Sequence, residues 1–134
     1  MRFSPAQRRY NQRVLLLGLI YVALLFPAIY LIGHGLVAGP IAYVVGVLPA
    51  LAVSGFFWLM ARYLVEERDE YLRMLQARQL LIATGIALTI STIWGFLEGF
   101  ALVPHLYAYT WPIIWFAGLG IGAGINIAIE RRAR

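Results

Sequence analysis

The sequence predicts an all-α integral membrane protein: a four-transmembrane-helix bundle of two helical hairpins, with both termini in the cytoplasm. Three observations carry that expectation. Four continuously apolar segments, about 14–33, 37–61, 80–103 and 111–129, each approach the roughly 20 residues an α-helix needs to cross a hydrocarbon core about 30 Å thick. The chain is 62% hydrophobic and 13% charged, against about a quarter charged residues in an ordinary soluble domain. Finally, every charge except Glu98 lies in patches outside these segments, at residues 1–13, 62–78 and 130–134. Barrel strands would alternate apolar and polar residues in runs of about ten, and these runs do not alternate. The whole chain, 1–134, reads as a single membrane domain.

Topology follows from the arginines. Arg2, Arg8, Arg9 and Arg13 precede the first segment; Arg62, Arg68, Arg73 and Arg78 separate the second from the third; Arg131, Arg132 and Arg134 follow the fourth. The connections 34–40 and 104–109 carry no Lys, Arg, Asp or Glu. The positive-inside rule then puts both termini and the middle connection in the cytoplasm of a bacterial inner membrane. Tyr107, Tyr109 and Trp111 fall in the opposite, outer aromatic belt. The net charge of +5 fits attraction to anionic lipid headgroups, with no direct nucleic-acid partner expected. The chain has no cysteine, which excludes disulfides, thiolate catalysis and thiolate metal sites.

The first segment is too long for the apolar region of a cleaved signal peptide and reads as a retained anchor. Ser4-Pro5 is a helix start, with Ser as N-cap and Pro at the first helical position. Pro27 and Pro49 lie inside the first and second segments, where a proline bends a helix or is tolerated by its neighbours.

From residue 56 to 84 the chain has neither Gly nor Pro. The expectation is that the second and third helices extend past the bilayer into a cytoplasmic helical hairpin loop, 62–79, turning near Arg68 with Asp69 as N-cap. Arg62–Glu66 and Asp69–Arg73 have the supportive i,i+4 spacing. Glu66, Glu67, Arg68, Asp69, Glu70 and Arg73 form a candidate cytoplasmic partner surface, weighed against a solvated connection that docks nothing.

The third segment carries Thr84, Ser91 and Glu98 at seven-residue intervals, with Thr92 and Gly95 beside them. This polar stripe is either a path ending at an ionisable carboxylate or a set of hydroxyls bonded back to their own helix. Glu98 is five residues from Val103, about 8 Å at the helical rise, in the outer leaflet and away from the midplane where transporter sites sit. His34 and His105 fall on the same outer side and make a candidate acid-responsive cluster with Glu98. Their spacing matches no tight metal motif, and neither a metal site nor a cofactor is expected.

Small residues mark candidate packing faces. Gly118 and Gly122 share one face of the fourth segment, Gly120 and Gly124 a nearly opposite one, and Gly95 and Gly99 repeat the device in the third. The second glycine face serves either the internal bundle or a homodimer. Asn126 is expected to bond across helices. No nucleophile–base set, phosphate-binding loop or metalloprotease spacing appears, so no enzymatic activity is expected.

The run Glu66-Glu67-Arg68, then Leu72, then Gln76-Ala77 resembles the acid-Glu-Arg, apolar, Lys-Ala entry of uncharacterised small bacterial membrane proteins often encoded beside helix-turn-helix regulators. It covers about a dozen residues and has Gln76 in place of the usual Lys. The resemblance implies a membrane-bound partner that restrains, or relays a signal to, a cytoplasmic regulatory protein. Small multidrug transporters also have four helices and one membrane Glu, but theirs lies in the first helix. The expected function is a non-catalytic regulatory or accessory partner. The alternative is a small homodimeric proton- or ion-coupled transporter or channel using Glu98.

Overall fold

A computed structural model describes residues 3–134, and four helices account for most of them: α1 (Pro5–Gly33), α2 (Pro40–Glu66), α3 (Glu70–Gly99) and α4 (Thr110–Ala133). All four are long and apolar enough to span a membrane. The chain divides after Arg68 into two compact units, α1 paired with α2 and α3 paired with α4.

In the first hairpin the helices run antiparallel. Tyr10 meets Tyr63 with ring centroids 5.2 Å apart, Gly55 lies under Leu17, and Gly46 lies against Ile32. Ser4 caps α1 in a capping box: its hydroxyl accepts from Gln7 N at 3.1 Å while the Gln7 side chain accepts from Ser4 N at 2.9 Å. Both helices run unbroken through Pro27 and Pro49. The second apolar segment begins at 37, yet α2 starts at Pro40. Its N-cap Gly39 has φ 66° and ψ −144°, a conformation essentially confined to glycine, so 37–39 stay outside the helix.

The second hairpin is built on two facing rows of every fourth residue. Tyr71, Leu75, Gln79 and Ala83 on α3 meet Glu130, Asn126, Gly122 and Gly118 on α4. A Cβ added at Gly118 would lie 2.8 Å from Ala83 Cα, and one at Gly122 would lie 3.0 Å from the Gln79 carbonyl oxygen. The approach is backbone to backbone. It lets the Gln79 side-chain amide donate to the Leu119 carbonyl at 2.8 Å. Asn126 donates to the Leu75 carbonyl at 3.0 Å and accepts from Arg78 Nε at 2.6 Å. Gly95, Gly99, Gly120 and Gly124 have no such neighbour in this hairpin, so the packing expected of them is not made between α3 and α4.

The third apolar segment runs to 103, but α3 stops at Gly99. The chain reverses through a Schellman motif, with Leu102 N bonding the Leu97 carbonyl and Ala101 N the Glu98 carbonyl. Ala101 occupies the left-handed position, at φ 59°. The end of α1 repeats the motif with Gly35, at φ 65°, where the left-handed turn carries no Cβ penalty.

Small residues make up much of what is buried, beside Leu59, Met60 and Tyr63 of α2, while many large apolar residues are exposed. Ala28, Ala52, Ala83, Ala87, Gly118 and Gly122 are buried, whereas Leu19, Phe26, Ile41, Leu81 and Phe96 face outward. Apolar burial supplies no drive for helix association in lipid, so small residues that allow close contact hold the seams.

Gly118→Ala and Gly122→Ala are expected to destabilise the second hairpin. Overpacking against backbone costs about 1–3 kcal/mol, which outweighs a helix-propensity gain of about 1 kcal/mol. Gly120→Ala and Gly124→Ala meet no atom within 4 Å and are expected to be neutral or slightly stabilising. Reversible detergent denaturation followed by circular dichroism checks the contrast.

Candidate functional site

Two clusters gather the ionisable side chains that sequence singles out. At the end of α3, Glu98 sits in the last turn, one residue from the helix end at Gly99, where the apolar run predicts a helix to Val103. One carboxylate oxygen pairs with His105 Nδ1, and the other accepts from Leu106 N at 3.5 Å. Trp94 Nε1 donates to the Pro104 carbonyl at 3.1 Å. Together these contacts fold residues 100–106 back onto the helix that precedes them. His34 belongs to the first hairpin, where its Nδ1 lies 2.9 Å from the Tyr30 carbonyl and its ring packs on Tyr30. Of the three groups Glu98, His34 and His105, Glu98 and His105 are thus brought together.

The polar stripe of α3 is divided among different partners. Thr84 accepts from Trp115 Nε1 of α4 at 3.0 Å, which turns it into the helix seam. Ser91 donates to the Leu88 carbonyl of its own helix at 3.3 Å. Thr92 lines a shallow open groove with Ser91, Gly95, Phe96, Gly99 and Phe100. The heptad spacing aligns Thr84, Ser91 and Glu98, but their side chains do not form a hydrogen-bonded chain.

At the other end of the first hairpin, the expected partner surface is partly turned inward. Glu67 is 4% exposed and accepts from Ser4 Oγ at 2.6 Å and from Tyr63 OH at 3.2 Å. Glu66 is gripped by three guanidiniums: Arg62 Nε at 2.6 Å, Arg13 Nη1 at 3.0 Å and Arg9 Nε at 3.2 Å. Asp69 caps α3, accepting from Tyr71 N at 2.9 Å and Leu72 N at 3.3 Å. The candidate surface therefore loses the Glu66 and Glu67 carboxylates to their own hairpin, because the first turns of α1 supply donors within reach. Arg68, Glu70 and Arg73 remain exposed.

Glu66 stands beyond the apolar run that ends at residue 61. Its hydrogen bonds from Arg62 and then Arg13 hold its pKa down at about 2, against the opposing effect of desolvation. Among the described residues no group of three or more His, Cys, Asp or Glu is placed to hold a metal ion.

Local sequence carries little signal for the contacts that shape these clusters. Ser4 and Glu67 are 63 residues apart, Tyr71 and Glu130 are 59 apart, and Arg78 and Asn126 are 48 apart. The spacing signal that was available is the antiparallel row: once Ala83 is set against Gly118, counting four back and four forward leads to Gln79–Gly122, Leu75–Asn126 and Tyr71–Glu130.

Two outcomes are expected. A depressed carboxylate pKa stabilises the fold fully above its ordinary value near 4.5 and loses that contribution as pH falls toward about 2. The α1–α2 clasp should therefore persist at pH 4 and loosen near pH 2, and Glu66→Gln should abolish this dependence; carboxylate carbon NMR against pH checks it. Ala101→Gly should stabilise the turn beside Glu98. It removes a left-handed penalty of about 1–2 kcal/mol while adding about 0.4–1 kcal/mol of unfolded-state entropy; detergent denaturation measures the difference.

No protein-family model, curated protein or solved structure matches the chain.

Proposed function

We propose that the protein is a non-catalytic, multi-pass inner-membrane protein that acts as a regulatory or accessory partner, presenting its middle connection to the cytoplasm. The orientation rests on the arginine bias: all eleven basic residues flank the termini and the middle connection, and none lies on the other two. The partner role rests on one observation, that the connection 67–69 is pinned on both sides. Glu66 and Glu67 are tied to the first turns of α1, and Asp69 is tied to the start of α3. Arg68 at the end of the first unit, and Glu70 and Arg73 at the start of the second, are exposed beside these tied-down stretches, so little backbone has to be ordered at either when a partner binds.

The transporter alternative has less to support it. Glu98 is engaged by His105 in the last turn of α3, and Thr84 is engaged by Trp115. Neither contact offers a polar path across the apolar length of the helix.

A photo-crosslinking residue placed at Glu70 in living cells tests the reading. The expected result is a discrete crosslinked protein, lost when Arg68→Glu and Arg73→Glu are combined and missing when the probe is at Tyr107. A probe at Glu70 that captures nothing, or a product that survives charge reversal, would sink the partner role.

A further inference from the structure

The basic end of the first hairpin gathers Arg9 and Arg13 of α1 and Arg62 of α2 around the single carboxylate of Glu66. Glu66 offsets their mutual repulsion and holds them together, yet a surplus of two positive charges remains. The bonds to Glu66 use one nitrogen of each guanidinium, and a guanidinium carries five N–H donors. The three side chains are 49%, 29% and 43% exposed, so they are held in place and still reachable.

Their position matters as much as their charge. Arg13 directly precedes the first apolar run and Arg62 directly follows the second, which sets both at the headgroup level of a bilayer. One turn into the apolar runs, Leu16 and Trp58 are each 60% exposed. The Arg62 guanidinium lies 5.2 Å from the Trp58 ring centroid, a cation–π contact that fixes the cation at the border where tryptophan rings settle.

We propose that Arg9, Arg13 and Arg62 seat the phosphate of an anionic lipid headgroup, with the lipid's acyl chains lying along Trp58 and Leu16. Planar guanidinium forks match phosphate oxygens in pairs, and the net positive charge favours an anionic lipid over a zwitterionic one. The proposal depends on the chain spanning a bilayer and is independent of any cytoplasmic partner.

The test uses the full chain in nanodiscs of equal parts phosphatidylcholine and phosphatidylglycerol, with retained lipids counted by native mass spectrometry. Wild type should retain phosphatidylglycerol preferentially. Arg9→Gln with Arg62→Gln should lower that preference by on the order of tenfold. Arg131→Gln with Arg132→Gln, which removes the same charge from the second hairpin, should leave it near wild type. If the double variant loses its helical circular dichroism, Arg62→Gln alone, which leaves two arginines on Glu66, should still show a several-fold fall. No preference in wild type, or an equal fall in both variant pairs, would overturn the seat in favour of a diffuse positive collar. Displacement of the lipid by inorganic phosphate at matched concentration would overturn the lipid as its occupant.

Discussion

Helix α4 can lie against α3 because no side chain stands at positions 118 and 122, and the polar contacts across the seam at Gln79 and Asn126 depend on that closeness. With backbone set against backbone at Ala83, Gln79 can bond the Leu119 carbonyl and Asn126 can bond the Leu75 carbonyl. In water such a seam would be held by burying large apolar groups. In lipid those groups gain nothing from leaving the solvent, so dispersion across a tight seam and hydrogen bonds across it take over. The burial pattern, with alanine and glycine along the seams and most leucines and phenylalanines outside, fits that change of solvent.

The first hairpin solves the same problem differently. Its glycines, Gly46 and Gly55, meet side chains rather than backbone, and it concentrates its polar contacts at one end. There Glu66 and Glu67 draw in Ser4, Arg9, Arg13, Arg62 and Tyr63. A carboxylate with several donors in a half-buried setting is worth more than an isolated surface pair, because the donors share the ordering cost and exclude water from one another. The two hairpins are thus fastened in unlike ways, one along its length and the other at its open end.

Much of this was legible in the sequence, and the reasons are local. Apolar run length marked the helices, Ser4 and Asp69 marked helix starts through their capping chemistry, and the four-residue spacing of Gly118 and Gly122 marked a close face. What escaped was set by groups distant in the chain. Nothing around Glu66 and Glu67 distinguishes an inward carboxylate from an outward one until α1 is laid beside them. The end of α3 escaped for another reason: Phe100–Val103 is as apolar as the helix before it, and Ala101 gives no glycine signal for the left-handed turn it makes. That turn brings His105 back to Glu98, so the missed helix end and the Glu98–His105 pair are one fact.

The three-residue connection between α2 and α3 has a consequence for how the chain is made. The contacts that fasten α1 to α2 are supplied by residues up to 68, and those that fasten α3 to α4 by residues from 69 onward. A ribosome that has released Arg68 has already released every partner that Glu66, Glu67 and Tyr63 use in these contacts. The first hairpin can therefore complete its seam without any residue of α3 or α4, and the second can do the same with its own register. Made in this order, the chain need not leave the Glu66 carboxylate waiting for a helix still to come, because its arginines precede it.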